Sequence, residues 1–225
     1  MNPWLTFSLM FLIAWLLVFL FRKGLRKEML LTSFITMFAG FTEPLFVPEY
    51  WNPPSLFNLA AKTGFDIESF IFAFAVGGVG SVLYEFLTKE KHKKLSKHEK
   101  HKKTHRFHLL ALLSMPVIFV LLIALTKLNP IYSAIIASFI GGISAILCRR
   151  DLKKKILIGG LSFLILYFIF FFIFNIIYPR TVQEIWNLSA ISGVLIFGVP
   201  LEELLFAFTF GMLWSSYYEH IYWLK

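Results

Sequence analysis

The chain has 225 residues and a mass of 26.1 kDa, with 58% hydrophobic residues, 16% charged residues and a mean hydropathy of +0.72. A soluble domain of this length carries about 25% charge, and 27 Phe side chains cannot all be hidden inside a water-soluble globule of this size. A cytosolic enzyme, a disordered chain and a fibrous chain are therefore excluded, and a multi-pass membrane protein remains.

The first apolar run, residues 3–21, precedes the cluster Arg22, Lys23, Arg26 and Lys27. A cleavable signal peptide has its positive residues before the apolar stretch, so this run reads as a first transmembrane helix. A second spans 29–48, with Glu43 and Pro44 near its far end, and leads into an aromatic, proline-containing loop through Trp51 and Asn52. The third covers 66–87. Residues 88–106 then hold nine Lys and Arg and four His. A fourth helix at 107–127 contains Pro116, a candidate kink. The fifth, at 131–148, and the sixth, at 156–177, flank a basic turn. A stretch of twelve apolar-rich residues, 188–199, is too short to span alone, and a last helix is expected over 200–219. Each full span is near the ~20 residues that a bilayer core requires.

Nineteen of the 22 Lys and Arg lie at 22–27, 89–106, 149–155 and 225, each stretch next to an apolar segment. With seven spans and the N-terminus outside, every one of these stretches falls on the cytoplasmic side, the C-terminus included. The single Cys, Cys148, excludes an intramolecular disulfide and a multi-Cys metal site, and reads as a packing residue.

Residues 66–85 and 200–219 align without a gap. Glu68 pairs with Glu202, Ser69 with Glu203, Phe72 with Phe206, Phe74 with Phe208, Gly77 with Gly211, and Tyr84-Glu85 with Tyr218-Glu219. Upstream, Trp51-Asn52 matches Trp186-Asn187. The expected fold is thus all-α and polytopic, with two parallel three-helix repeats, 1–87 and 129–225, joined by 88–128, a basic loop and a linking helix.

Asp66, Glu68, Glu202 and Glu203 fall in the first turns of the third and seventh helices, with Glu43 at a similar depth. Acids there favour the helix dipole and cap free amides. A carboxyl at or below the interface is also expensive and usually functional. Adjacent helical residues point about 100° apart, so one of Glu202 and Glu203 is expected to face the interior fully. The repeat favours Glu202, because Glu68 is retained at its counterpart while Glu203 is replaced by Ser69. Pressed against Phe206 and Phe208, such a carboxyl can act as a general acid on an apolar substrate, with a second carboxylate and aromatic faces steadying a cation.

The stretch PLEELLF at 200–206, with Trp186-Asn187 upstream and the tandem three-helix plan, resembles the membrane-embedded, flavin-independent lycopene cyclase family. The resemblance implies a redox-neutral ring closure. A carboxylic acid protonates the terminal double bond of a linear carotene, the cation cyclises, and a base removes a proton. It matches Glu202 and Glu203 to the family's acidic pair and Glu68 to the first-unit acid. Glu43, Asp66, Phe72, Phe206, Phe208, Trp51, Trp186 and Asn187 are the supporting candidates. The first unit departs from the motif, carrying Asp66 for the proline and Ser69 for the second acid. No cofactor and no metal is expected, and the substrate is a long polyene or isoprenoid lipid.

Residues 88–106 lack ordered ligand spacing and aromatic interleaving, so contact with anionic lipid headgroups is expected rather than metal or nucleic acid. An intramembrane metalloprotease is disfavoured because all six His lie in or at the edge of the cytoplasmic layer. A small proton- or ion-coupled transporter and a carotenoid-binding protein without chemistry stay open, as does a homo-oligomer.

Overall fold

The structure is a computed structural model that describes residues 2–90, 92–100, 105 and 107–225. Residues 91, 101–104 and 106, part of the basic stretch expected to meet headgroups, lie outside the described residues.

Helix α1 is Pro3–Phe21, opened by Asn2, whose side-chain oxygen accepts the Trp4 and Leu5 amides. A 3-10 turn leads to α2, Arg26–Met37, which tightens into another 3-10 turn at Phe38–Thr42 and ends in the short α3, Glu43–Phe46. After a loop and α4, Leu59–Thr63, comes α5, Ile67–Thr88, capped by Asp66. The basic loop holds α6, Lys97–Lys100. Helices α7, His108–Leu125, and α8, Pro130–Cys148, follow, with Pro116 inside α7 and Asn129 capping α8 as Asn2 caps α1. Then come α9, Lys153–Ile177, α10, Thr181–Ile185, α11, Leu201–Trp214, and α12, Tyr217–Tyr222.

Among the described residues, six helical stretches are long and apolar enough to cross a membrane: Pro3–Phe21, Lys23–Phe46, Ile67–Thr88, His108–Leu125, Pro130–Cys148 and Arg150–Ile177. The surface they leave outside is studded with Leu, Ile, Val and Phe, among them Leu20, Phe21, Leu109, Val120 and Ile176. The protein is all-helical and multi-pass.

The helix expected over 200–219 is shorter. At fourteen residues, α11 is about 21 Å long, against a hydrocarbon core of about 30 Å. Its start is set by a two-stranded hairpin, β1 Leu195–Ile196 and β2 Val199–Pro200, with Ile196 opposite Val199. The two residues of the turn, Phe197 (φ 51°) and Gly198 (φ 80°), are both left-handed, the geometry of a tight I′ hairpin. Residues 188–199 are therefore a 3-10 turn and a hairpin, not an extension of the last helix.

Helix α5 packs on α1 and α2, and α11 packs on α8 and α9, while α5 and α9 meet in the middle. Small residues permit the first contact. A Cβ on Gly77 would strike Thr36, and one on Gly78 would strike Trp15 and Ser33. An aromatic core built on Phe7, Phe11, Phe72, Phe163, Tyr167 and Phe171 fills the centre.

At the basic end, Lys155 is buried and donates to both Glu85 and Glu219. His92 from the loop lies 2.5 Å from Glu219 and 3.4 Å from the buried Glu28. The chain's last residues pair with this loop: Lys93 and Lys225 exchange backbone hydrogen bonds of 2.7 Å.

Candidate functional site

At the opposite end of the bundle, the loops after α3 and α10 run antiparallel past one another. The Asn52 amide donates to the Ile185 carbonyl at 2.8 Å and the Asn187 amide to the Tyr50 carbonyl at 2.9 Å, bracketing a bridge between Trp51 and Trp186. This crossing carries Tyr50 and Trp186 over the first turn of α11.

Glu203 lies beneath them. Its Oε1 accepts from the Tyr50 hydroxyl at 2.5 Å and the Trp186 indole N–H at 2.8 Å, and its Oε2 accepts from the Tyr167 hydroxyl at 2.5 Å. Both oxygens are thus held by neutral donors from three separate elements. Burial, and then the Glu203 carboxylate beside it, hold the Tyr50 hydroxyl well above its usual range, so it remains a donor. Around these donors stand Phe7 and Phe11, 5.7 and 5.5 Å from the Tyr167 ring, and Phe171, 5.3 Å from Trp186.

Glu202 is also buried, at 1% exposure, but it faces elsewhere. Its Oε1 accepts from the Tyr132 hydroxyl at 2.7 Å and the Ser192 amide at 2.9 Å, while Oε2 has no hydrogen-bond partner. Glu68 is built the same way: its Oε1 accepts from the Asn2 side chain at 2.6 Å and the Leu56 amide at 2.7 Å, and Oε2 is unpartnered. Each of these two acids ties the loop before its own helix to the start of a helix that opens with Asn-Pro.

The counterpart of Glu203 behaves like it in miniature. Ser69 accepts the Trp4 indole N–H at 3.2 Å and donates to Glu43 at 3.0 Å, so a second buried carboxyl lies close to the start of α5. Asp66 is the cap of α5, accepting the Ser69 amide at 2.5 Å. Trp4, Trp51 and Trp186 stand in a row between the two interior acids, with ring centroids 4.4 and 5.6 Å apart.

Of the residues expected from sequence, Glu202, Glu203, Glu68, Glu43, Asp66, Trp51, Trp186 and Asn187 gather at this end. Phe72 reaches the aromatic core, 4.9 Å from Trp4 and 6.4 Å from Tyr167. The packing expected of Glu202 against Phe206 and Phe208 takes another form. Phe206 is tilted against Phe210 at 5.6 Å, and Phe208 packs with Ala145, Leu152, Ile156 and Met212, nearer the basic end. The cause is helical pitch: Phe208, six residues on, has turned to another face of the helix, whereas Phe206, four residues on, lies one turn below Glu202 and within about 40° of its face.

Sequence reasoning missed Tyr50, Tyr132 and Tyr167. Tyr167 had a signal of its own, being the one phenol within the Phe- and Ile-rich run of α9.

A family model described as lycopene cyclase matches residues 2–87 and 129–221. No curated protein matches the chain, and no solved structure does. The match covers most of the length and includes every carboxyl of the site. It implies a carotenoid or isoprenoid substrate, a membrane setting and a cyclase type of activity. This multi-pass helical protein belongs to the lycopene cyclase family.

Proposed function

We propose that the protein closes the end group of a linear, lycopene-like carotenoid by proton catalysis, and that Glu203 gives the proton. The observation that carries this reading is the three-donor cage around Glu203, set in an aromatic interior. Protonating an alkene demands that the conjugate carboxylate be stabilised as the proton leaves. Tyr50, Tyr167 and Trp186 already point at both oxygens, so that stabilisation needs no reorganisation. The carbon cation that forms is met by ring faces of the Phe7, Phe11 and Tyr167 group. A carboxylate then takes a proton from the carbon next to the cation, giving a cyclic alkene. One proton enters and one leaves, so the reaction is redox-neutral and uses no flavin.

In this reading Glu202 and Glu68 position the loops over the site, and Glu43 with Ser69 is the corresponding centre of the first half. The repeated packing of α5 on α1 and α2 and of α11 on α8 and α9 supports two parallel three-helix units, as do the twin Asn-Pro caps. The family match supports the same division by leaving out 88–128. With α11 taken together with the hairpin before it and α12 after it as a seventh crossing, the basic end is cytoplasmic and the carboxyl end faces outward.

The test is carotenoid chromatography on lycopene-accumulating cells that express the wild-type chain, Glu203→Gln or neither, with membrane levels of both proteins matched. Cyclic carotenes are expected from the wild type alone. Unchanged lycopene with well-expressed wild type would overturn the reaction, and full product from Glu203→Gln would overturn the choice of acid.

A further inference from the structure

At the basic end, on the far side of the bundle from Glu203, a second constellation has no part in the chemistry above. Cys148, the last residue of α8, is buried. Its Sγ lies 3.5 Å from Nδ1 of His108, the first residue of α7, and 3.7 Å from Nδ1 of His105. The three donor atoms fall within 4.8 Å of one another.

We propose that Cys148, His105 and His108 bind a zinc ion that staples the start of α7 to the end of α8. A tetrahedral zinc with its sulfur at about 2.3 Å and nitrogens at about 2.0–2.1 Å separates sulfur from nitrogen by about 3.6 Å. Both observed separations lie close to that value. The orientation of His108 fits as well. Its Nε2 is 2.9 Å from the His220 carbonyl, which can only accept, so Nε2 carries the proton and the Nδ1 lone pair faces the sulfur. A ligand imidazole whose other nitrogen donates to a backbone carbonyl is the usual outer-layer arrangement of protein zinc sites. Trp223 fixes both rings from outside, stacked 3.9 Å from His108 and edge-on 5.3 Å from His105.

The donor set narrows the choice of ion. One thiolate and two imidazoles exclude magnesium and calcium, which take oxygen ligands, and suit zinc or copper, of which zinc takes the tetrahedral geometry matched above. On binding, the Cys148 thiol loses its proton to solvent, a zinc–sulfur bond forms, and the fourth position is left to water. Arg149, next in sequence, brings no unmatched charge, since the Asp151 carboxylate binds it at 2.7 Å and it donates to the Leu224 carbonyl at 2.5 Å. Among the described residues, the other compact trio at this end, Glu28, His92 and Glu219, differs because Lys155 already supplies a positive charge there.

The experiment uses the full chain in detergent, stripped by a chelator and titrated with cobalt(II), then zinc(II). Because Cys148 is the only cysteine, any thiolate-to-cobalt charge-transfer absorption reports on it alone. The expected result is that band, saturating near about one equivalent and bleached by zinc. Cys148→Ser should abolish the band, and His108→Gln, which removes a ligand itself, should weaken binding by at least the roughly 100-fold upper figure for loss of an outer-layer partner. Monodisperse wild-type protein that shows no band, or whose Cys148 reacts with a maleimide equally fast with and without zinc, would overturn the proposal without reference to either variant.

Discussion

Trp51 and Trp186 face each other across an antiparallel bridge between two loops, their ring centroids 5.6 Å apart. Only Trp186 is placed to donate to a carboxylate, at 2.8 Å from Glu203, while the Trp51 indole N–H has no hydrogen-bond partner. The two loops run alike past one another and differ in what they deliver.

Removing one donor from Glu203 should therefore slow the reaction without unfolding the site. Tyr167→Phe keeps the ring contacts with Phe7 and Phe11 and deletes the hydroxyl. Product formation is expected to fall by about 100-fold, the scale seen when one preorganised donor is lost. Tyr50→Phe should act in the same direction. Initial rates on detergent-solubilised lycopene check both, and a rate within twofold of wild type would remove Tyr167 from the mechanism.

Glu202 should separate from Glu203 in the severity of its variants. Gln at 202 keeps an oxygen to accept from Tyr132 and the Ser192 amide, so activity should drop less than about tenfold. Ala at 202 removes both bonds, and hydrogen exchange at residues 188–194 should accelerate. The equivalent Glu68→Ala variant should loosen the loop around Leu56. Unchanged exchange in both Ala variants would contradict the positioning role.

The contact between α5 and its neighbours leaves no room at Gly78. A leucine there would drive into Trp15 and Ser33 and break the indole–hydroxyl bond of 2.9 Å between them. Overpacking of this kind costs typically about 1–3 kcal/mol. Thermal unfolding in detergent should show a lowered midpoint for Gly78→Leu, with Gly24→Ala, which meets nothing within 4 Å, as the neutral comparison.

Lys155→Met tests the buried ionic group at the basic end. It leaves Glu85 and Glu219 without the ammonium that joins them, a change that costs about 3–5 kcal/mol when a buried pair is broken on one side. The midpoint should fall steeply, and adding Glu85→Gln should recover part of the loss. An unaltered midpoint in the single variant would show that solvent reaches the site.

Helix positions were legible in the sequence wherever hydropathy alone decides them. The run 3–21 is α1 to the residue, because Asn2 and Pro3 start it and the basic turn stops it. The end of the chain was harder to read. Phe197-Gly198 lacks the usual Asn-Gly or Asp-Gly signature of a I′ turn, so the hairpin that shortens α11 left little trace. The carboxyls were legible as a group, but not which of the two adjacent acids turns inward. That depends on Tyr50, 153 residues away from Glu203 in sequence, and on a loop crossing that no local pattern encodes.

The proposed duplication has left one buried position with opposite signs in its two copies. The turn Arg22 to Glu28 aligns with Arg149 to Lys155, which sets Glu28 of the first half against Lys155 of the second. Two copies of the first half, placed as the halves are here, would bring Glu28 and Glu85 together twice over with no ammonium among them. Two copies of the second would match two lysines with two glutamates. Separated at the basic loop, the first half would meet its own copy without an ammonium, so a single inverted charge favours its pairing with the second half over pairing with itself.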